Sequence, residues 1–285
     1  MQSQLVSSDV PGVSSEMSAN GSHEIHPTAI VGSRAELDSG VIVGPYCIIE
    51  DGVRVGARTR LHSHVVLLGN TSIGPDCVLH TGCVLGDFPQ DHKYKGECSY
   101  LTVGARNIVR EYVTLHRATG EGEATVIGDD NMIMAYSHIG HNCRIGSSIT
   151  IANQVGLSGH VVVEDRVVLG GMVGIHQYVR VGTLAMVGGY SKVVQDVPPY
   201  MMADGRPSKV YDLNVVGLRR AGVPAATRSQ LKHCVRLLFR SNYNLSQAIE
   251  AIENEIDESP EREYLLDFLR NEKFGTAGRQ MQVKR

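Results

Sequence analysis

The sequence predicts a parallel β-helix followed by a small α-helical domain. Three observations carry this. An aliphatic residue recurs every six positions over most of the chain. Glycine is abundant, at 31 of 285 residues, while Trp is absent and there are four Phe. The six-residue period stops at Val197-Pro198-Pro199, where helical apolar spacing takes over.

The repeat runs from Ile25 through Val31, Leu37, Val43 and Ile49 to Val193. Of 29 such positions, 26 carry Ile, Leu or Val, and only Asp91, Glu97 and Glu121 break the pattern. A period of six fits neither a helix nor an amphipathic strand alone. It is the signature of stacked short strands, one aliphatic side chain pointing inward per hexad. The next position is often Gly, as at Gly32, Gly44 and Gly140, and is expected where the chain turns through positive φ. The fifth position is mostly small or β-branched, which suits strands. Four cysteines (Cys47, Cys77, Cys83, Cys143) take it as inward packing residues. Such a thin prism needs few aromatics.

Residues 87–100 (DFPQDHKYKGECSY) and 117–125 (RATGEGEAT) are polar and leave the repeat. A solenoid expels such segments from its core, so they are expected as external loops able to carry function. Beyond the repeat, helices are expected at 208–221 and 225–240, from Leu245 to Ile256, and from Pro260 to Asn271. Leu231, Val235 and Leu238, then Leu245, Ile249, Ile252 and Ile256, hold helical spacing. Ser246 and Ser259 are the expected caps. The expected organisation is a flexible extension (1–24), a prism (25–197) and a helical domain (198–285), with 275–285 flexible.

The formal charge of 27 − 30 = −3 argues against a polyanion binder and hence against nucleic acid. No apolar run approaches the ~20 residues of a membrane span. The polar, Ser-rich start lacks the features of a secretory signal. The six cysteines contain no CxxC pair. A cytoplasmic protein with reduced thiols is expected.

The hexads resemble those of hexapeptide-repeat acyltransferases. That resemblance implies three hexads per turn, an 18-residue coil and left-handed winding, against the general right-handed preference. Twenty-nine hexads then make about ten coils, roughly 45–50 Å long. Residues n and n+18 stack on adjacent coils, which puts His141 in a column with Gly159, His160 over Asn142 and His176 over Ser158. An imidazole beside a glycine amide pairs a proton acceptor with an oxyanion donor. His62 and His80, also 18 apart, read as ordinary polar surface positions. A metal site is the other reading of the histidines, with His138 and His141 as two of three zinc ligands, but no Cys or carboxylate of 127–193 completes the set.

More specific motifs are QDHKYKGE (90–97), REYVTLHRAT (110–119), SHIGHNC (137–143), LSGHVVVED (157–165), GGMVGIHQY (170–178) and SKVVQDVPPY (191–200). From His26 to about Gly222 the chain resembles the acyl-carrier-protein:UDP-N-acetylglucosamine O-acyltransferases, which begin lipid A biosynthesis. The resemblance implies His141 as general base on the glucosamine 3-hydroxyl and the Gly159 amide as oxyanion donor. It implies substrate contacts from Gln90, Asp91, Lys93, His116, His138, Asn142, His160, His176 and Gln177, with Asn214 and Arg220 toward the uridine diphosphate. No metal or bound cofactor is implied; the acyl donor rides on the phosphopantetheine of acyl carrier protein. Gly189 matches the position that ends the acyl groove, implying a longer 3-hydroxyacyl chain. A homotrimer is implied, with a basic docking surface for the acidic carrier at Arg206, Lys209, Arg219, Arg220, Lys232 and Arg236. The sequence departs from the family at Asn142, where Asp usually follows the base, and at Val216 and Ala221. An N-acyltransferase acting on a UDP-amino sugar, a metal-dependent hydratase and a non-catalytic scaffold are the alternatives.

Overall fold

The computed structural model describes residues 23–271 and residue 279. The flexibility expected of the termini falls largely outside these residues. Twenty-six short strands, from Glu24–Ile25 to Lys192–Val193, wind around a three-faced prism. All pairings among them are parallel, as in Ile25↔Val43, Ile139↔Leu157 and Ile175↔Val193, each 18 residues apart. From Val43 to Val193 the aliphatic hexad positions form one continuous buried core, Val31 and Leu37 pack against it half-buried, and Ile25 at the open end is exposed.

Two loops interrupt the winding, and both keep its phase. Ile73 pairs with Val103, 30 residues on, and Val103 pairs with Ile127, 24 on. The inserts of 12 and 6 are multiples of the hexad, so the aliphatic step passes through them unbroken. They also shorten the prism. The faces hold nine, nine and eight prism strands rather than ten rows, because three hexads lie in loops. The prism is therefore about 40 Å long.

The repeat glycines work differently from the expectation. Gly44 and Gly140 do not lie at positive φ; a Cβ on them would come within 2.8 Å of the Leu61 carbonyl and 2.9 Å of the Leu157 carbonyl. They allow close approach of coils. The left-handed residue comes two positions later and is usually not Gly, as at Tyr46 (φ 57°), Asn142 (57°) and His160 (60°). A side chain there costs about 1 kcal/mol. Rung hydrogen bonds hold each one, such as His160 N–H to the His141 carbonyl at 2.9 Å.

The cysteines follow expectation. Cys47, Cys77, Cys83 and Cys143 are buried and unbridged. Burial pushes the Cys143 thiol up to about 12, so it stays protonated.

The sheet does not end at Val197. Met201–Gly205 continues the first face parallel to Met186–Val187, then pairs antiparallel with Ser208–Leu213. The helix expected at 208–221 is thus a strand to Leu213 and a short helix, α1 (Val215–Arg220). The reason is local. A hairpin partner was available for 208–213, and helix begins only where Asn214 accepts from the Gly217 N–H at 2.9 Å. Helices α2 (Ala225–Phe239), α3 (Leu245–Glu255) and α4 (Pro260–Arg270) follow the predicted positions. Ser259 caps α4, but Asn244 rather than Ser246 caps α3, in a reciprocal box with Gln247. The helices pack a second core around Leu231, Val235, Leu238, Ile252 and Leu265. Arg180 joins the cores: it pairs with Asp196 at 2.8 Å, donates to the Phe268 carbonyl at 3.0 Å and lies over the Phe268 ring.

Candidate active site

A cleft of about 550 Å³ lies along the second face of the prism. Each strand of that face turns its first residue outward and its second into the core. The outward column runs Thr114, His138, Gly156, Gly174, Lys192. A Cβ on Gly156 or Gly174 would meet nothing within 4 Å, so the two glycines leave the floor open. Sequence reasoning missed Gly156, Gly174 and Lys192. Stepping by 18 from His138 finds all three.

His141 sits at the corner beside this floor, with its side chain 14% exposed. Its Nδ1 lies 2.9 Å from Asn142 Oδ1. The Asn142 amide is oriented independently: Oδ1 also accepts from the Thr119 N–H at 2.9 Å, and Nδ2 donates to the Thr119 carbonyl at 3.0 Å. With an acceptor facing it, Nδ1 carries the proton and Nε2 keeps its lone pair. Asn142 therefore stands behind the ring, not among the groups lining the cleft.

The 141–159 column is as expected. A Cβ on Gly159 would lie 2.4 Å from His141 Nε2, so only glycine leaves that nitrogen room. Among the described residues the Gly159 N–H has no hydrogen-bond acceptor. Asp91, from the first loop, brings Oδ2 to 3.9 Å from His141 Nε2. The Lys93 N–H donates to its Oδ1 at 3.0 Å and, as the largest influence, holds the Asp91 carboxyl below its ordinary value. A lone pair, a free amide N–H and a carboxylate thus converge at one end of the cleft.

The other breaks in the repeat fasten the loops. Glu97 accepts from Gly120 N–H at 2.9 Å and Glu121 from Cys98 N–H at 3.1 Å, lacing one loop to the other. His116 is buried, and its Nδ1 reaches the Phe88 carbonyl at 2.6 Å, tying the first loop to the prism. His138 lies edge-on to His116 and pairs with the Thr114 hydroxyl at 2.8 Å. Burial, then its histidine neighbours, push His138 down to about 4, so it is neutral at pH 7. His160 stacks on Tyr178 and meets His141 edge-on; burial lowers its value too.

Gln90, His138, His141, Gly159, His176 and Gln177 line the cleft together. Lys93 is exposed on the loop. Gly189 is not part of the lining; it lies at the corner before Lys192–Val193 and packs against Gly171. Asn214 is spent on structure, capping α1 and donating to the Leu184 carbonyl at 2.8 Å. Arg220 ends α1, exposed beside Arg219. Of the expected basic surface, Lys232 pairs with Asp212, and Arg206 donates to the Tyr190 carbonyl. Lys209, Arg219, Arg220 and Arg236 are exposed. Among the described residues no three His, Cys, Asp or Glu converge as a metal would require.

Comparison with known proteins agrees with this layout. Residues 124–159 match the six-repeat bacterial transferase hexapeptide family, and 196–277 match the second domain of UDP-N-acetylglucosamine O-acyltransferases. An acyl-[acyl-carrier-protein]–UDP-N-acetylglucosamine O-acyltransferase of Thermodesulfovibrio yellowstonii is 48% identical, over 89% of this chain and 98% of the relative. A relative of the same name from Gloeothece citriformis is 45% identical, over 86% and 88%. The solved UDP-N-acetylglucosamine O-acyltransferase of Moraxella catarrhalis superposes with a TM-score of 0.83 at 39% identity, over 87% of this chain and 96% of that one. The fold is the left-handed parallel β-helix with a C-terminal helical region. The chain belongs to the acyl-[acyl-carrier-protein]–UDP-N-acetylglucosamine O-acyltransferase family, and it carries that family's prism with a histidine–glycine pair at the cleft.

Proposed function

We propose that the cleft transfers a 3-hydroxyacyl chain from acyl carrier protein to the glucosamine 3-hydroxyl of UDP-N-acetylglucosamine. The carrying observation is that His141 Nε2, on a ring whose Nδ1 faces the Asn142 amide oxygen, lies beside the unengaged Gly159 N–H one coil on. Nε2 takes the hydroxyl proton as that oxygen attacks the thioester carbonyl. The Gly159 N–H donates to the oxygen that becomes negative. When the tetrahedral adduct collapses, the C–S bond breaks and the imidazolium returns its proton to the thiolate. The products are the 3-O-acyl sugar nucleotide and the free carrier thiol. A thioester is already activated, so the step balances without a metal. Asp91 supplies a carboxylate acceptor for a second donor group on the sugar.

The names of the relatives support the substrates. The same reading gives the carrier the exposed Lys209, Arg219 and Arg236, assigns the exposed Arg220 to the nucleotide end and a longer acyl chain to the Gly189 position, and makes the active protein a cytoplasmic homotrimer; Asn214, engaged at both ends of its amide, is left to structure. No helix among the described residues is long and apolar enough to cross a membrane.

A thioester-consumption assay with 3-hydroxyacyl-carrier protein and UDP-N-acetylglucosamine tests this. Wild type turns over, and His141→Ala loses about 10²–10⁴ in kcat, the usual share of a positioned base. Undiminished turnover by His141→Ala would overturn the assignment. In the same assay ten-carbon donors are poorer than longer ones; a clear preference for ten carbons rules out the Gly189 assignment.

A further inference from the structure

His176 lines the cleft beside Gln177 and Val194. Its Nδ1 has two neighbours that make opposite demands. The Gln177 carbonyl, 3.2 Å away, needs a proton on Nδ1. Arg279 Nη1, 3.1 Å away, needs a lone pair there, because a guanidinium only donates. Both cannot be satisfied at once. The charged donor makes the stronger bond. With Arg279 in place, Nδ1 is bare and the proton sits on Nε2.

Arg279 is held there mainly by its backbone. Its N–H donates to Asp196 Oδ1 at 2.8 Å, and its carbonyl accepts from the Asp196 N–H at 2.9 Å. Asp196 is 5% exposed and also accepts from Arg180 N–H and Nε, each at 2.8 Å. The Arg279 side chain then spans from the Val194 carbonyl, which accepts from Nε at 2.8 Å, to His176. A change of side chain leaves the backbone bonds to Asp196 in place.

We infer that Arg279 is a positioning residue that fixes His176 as an Nε2–H donor to the cleft. Its task is the reverse of that of Asn142, which leaves His141 an Nε2 acceptor. One imidazole is set as a base. The other is set as a neutral donor for an acceptor oxygen of a substrate, a carbonyl or a phosphate. Only the identity of that occupant rests on the acyl-transfer reading.

Two measurements test this on the full chain. The first needs no substrate: long-range proton–nitrogen NMR of histidine-labelled protein, with His176 assigned from His176→Gln. Wild type and Arg279→Lys show His176 protonated on Nε2. Arg279→Leu moves the proton to Nδ1, toward the Gln177 carbonyl. A wild-type His176 protonated on Nδ1, or an Arg279→Leu spectrum unchanged at His176, overturns the inference. The second is kinetic. Arg279→Leu raises one KM about tenfold with little change in kcat, as loss of one aligned hydrogen bond requires. The KM that moves, donor or sugar nucleotide, names the occupant. In a His176→Leu background the same change has no further effect, while additive losses would mean a structural role and overturn the inference. Absence of turnover in wild type would refute the acyl-transfer reading and leave the spectra to decide this one.

Discussion

Two histidine columns follow the same 18-residue rule and come to different ends. His62 stacks on His80, with ring centroids 4.7 Å apart and planes within 6°. His141 stacks on Gly159. In the first column a ring fills the space above a ring, and both are largely buried. In the second, the missing side chain leaves Nε2 facing a cleft beside a free amide. Repetition alone therefore builds structure. The proposed chemistry is placed where glycine interrupts the column and the loop that carries Asp91 brings a carboxylate to within 3.9 Å of His141 Nε2.

The strongest way to break this contrast is to fill the gap. Gly159→Ala would place a carbon 2.4 Å from His141 Nε2, and the ring must swing aside. Both base and oxyanion donor are then disturbed, so kcat falls about 10²–10³-fold or more. The ring is the movable partner, so thermal unfolding changes little. An active Gly159→Ala enzyme would show that the column contact does not matter.

A smaller effect probes the residue behind the base. Asn142→Leu removes the acceptor that selects the His141 tautomer and lowers kcat about 10–100-fold, as loss of an orienting partner does. Asn142→Asp keeps an acceptor and adds charge, which favours imidazolium. The acid limb of kcat/KM therefore moves to higher pH. The change also sets a carboxylate oxygen against the Thr119 carbonyl, where Nδ2 now donates at 3.0 Å, and the melting temperature falls. A pH profile and a melting curve of each variant check both statements. An unshifted acid limb in Asn142→Asp would mean that Asn142 does not act through His141.

The prism was legible because its signal is one residue type at one spacing, and both loops happen to add whole hexads. The 141–159 pair was legible for the same reason, once the coil length was known. The glycine floor at 156 and 174 lies on an equally regular column, one and two coils beyond His138. Other features were not legible in that way. The strand at 208–213 depends on a hairpin partner. The groups that Thr119 places against the Asn142 amide and Arg279 places against the His176 ring come from positions that no periodicity encodes. The corner glycines misled because glycine serves two ends, positive φ and close approach, and the repeat uses the second.

The smallest effect concerns the His62–His80 column, which does not line the cleft. His80 Nδ1 lies 3.6 Å from Glu111, which favours its charged form. Burial outweighs this, helped by His62 and Arg110, and pushes His80 down to about 4. The pair is therefore not an ion pair at neutral pH. An unfolded histidine titrates near ~6.5. Between that pH and 4 the unfolded chain holds a proton that folded His80 refuses. His80 accordingly favours the folded state fully above pH 6.5, and this advantage drains away as pH falls toward 4. His62 is shifted the same way by burial and adds to the slope. His80→Gln carries no such proton. Its melting temperature at pH 5 therefore drops less from its own pH 7 value than wild type does, by a few degrees at most. Its turnover at pH 7.5 matches wild type, because neither His62 nor His80 is among the residues lining the cleft. Parallel melting curves for the two proteins would mean that His80 is already charged in the fold, and lost turnover would join the two columns that the geometry separates.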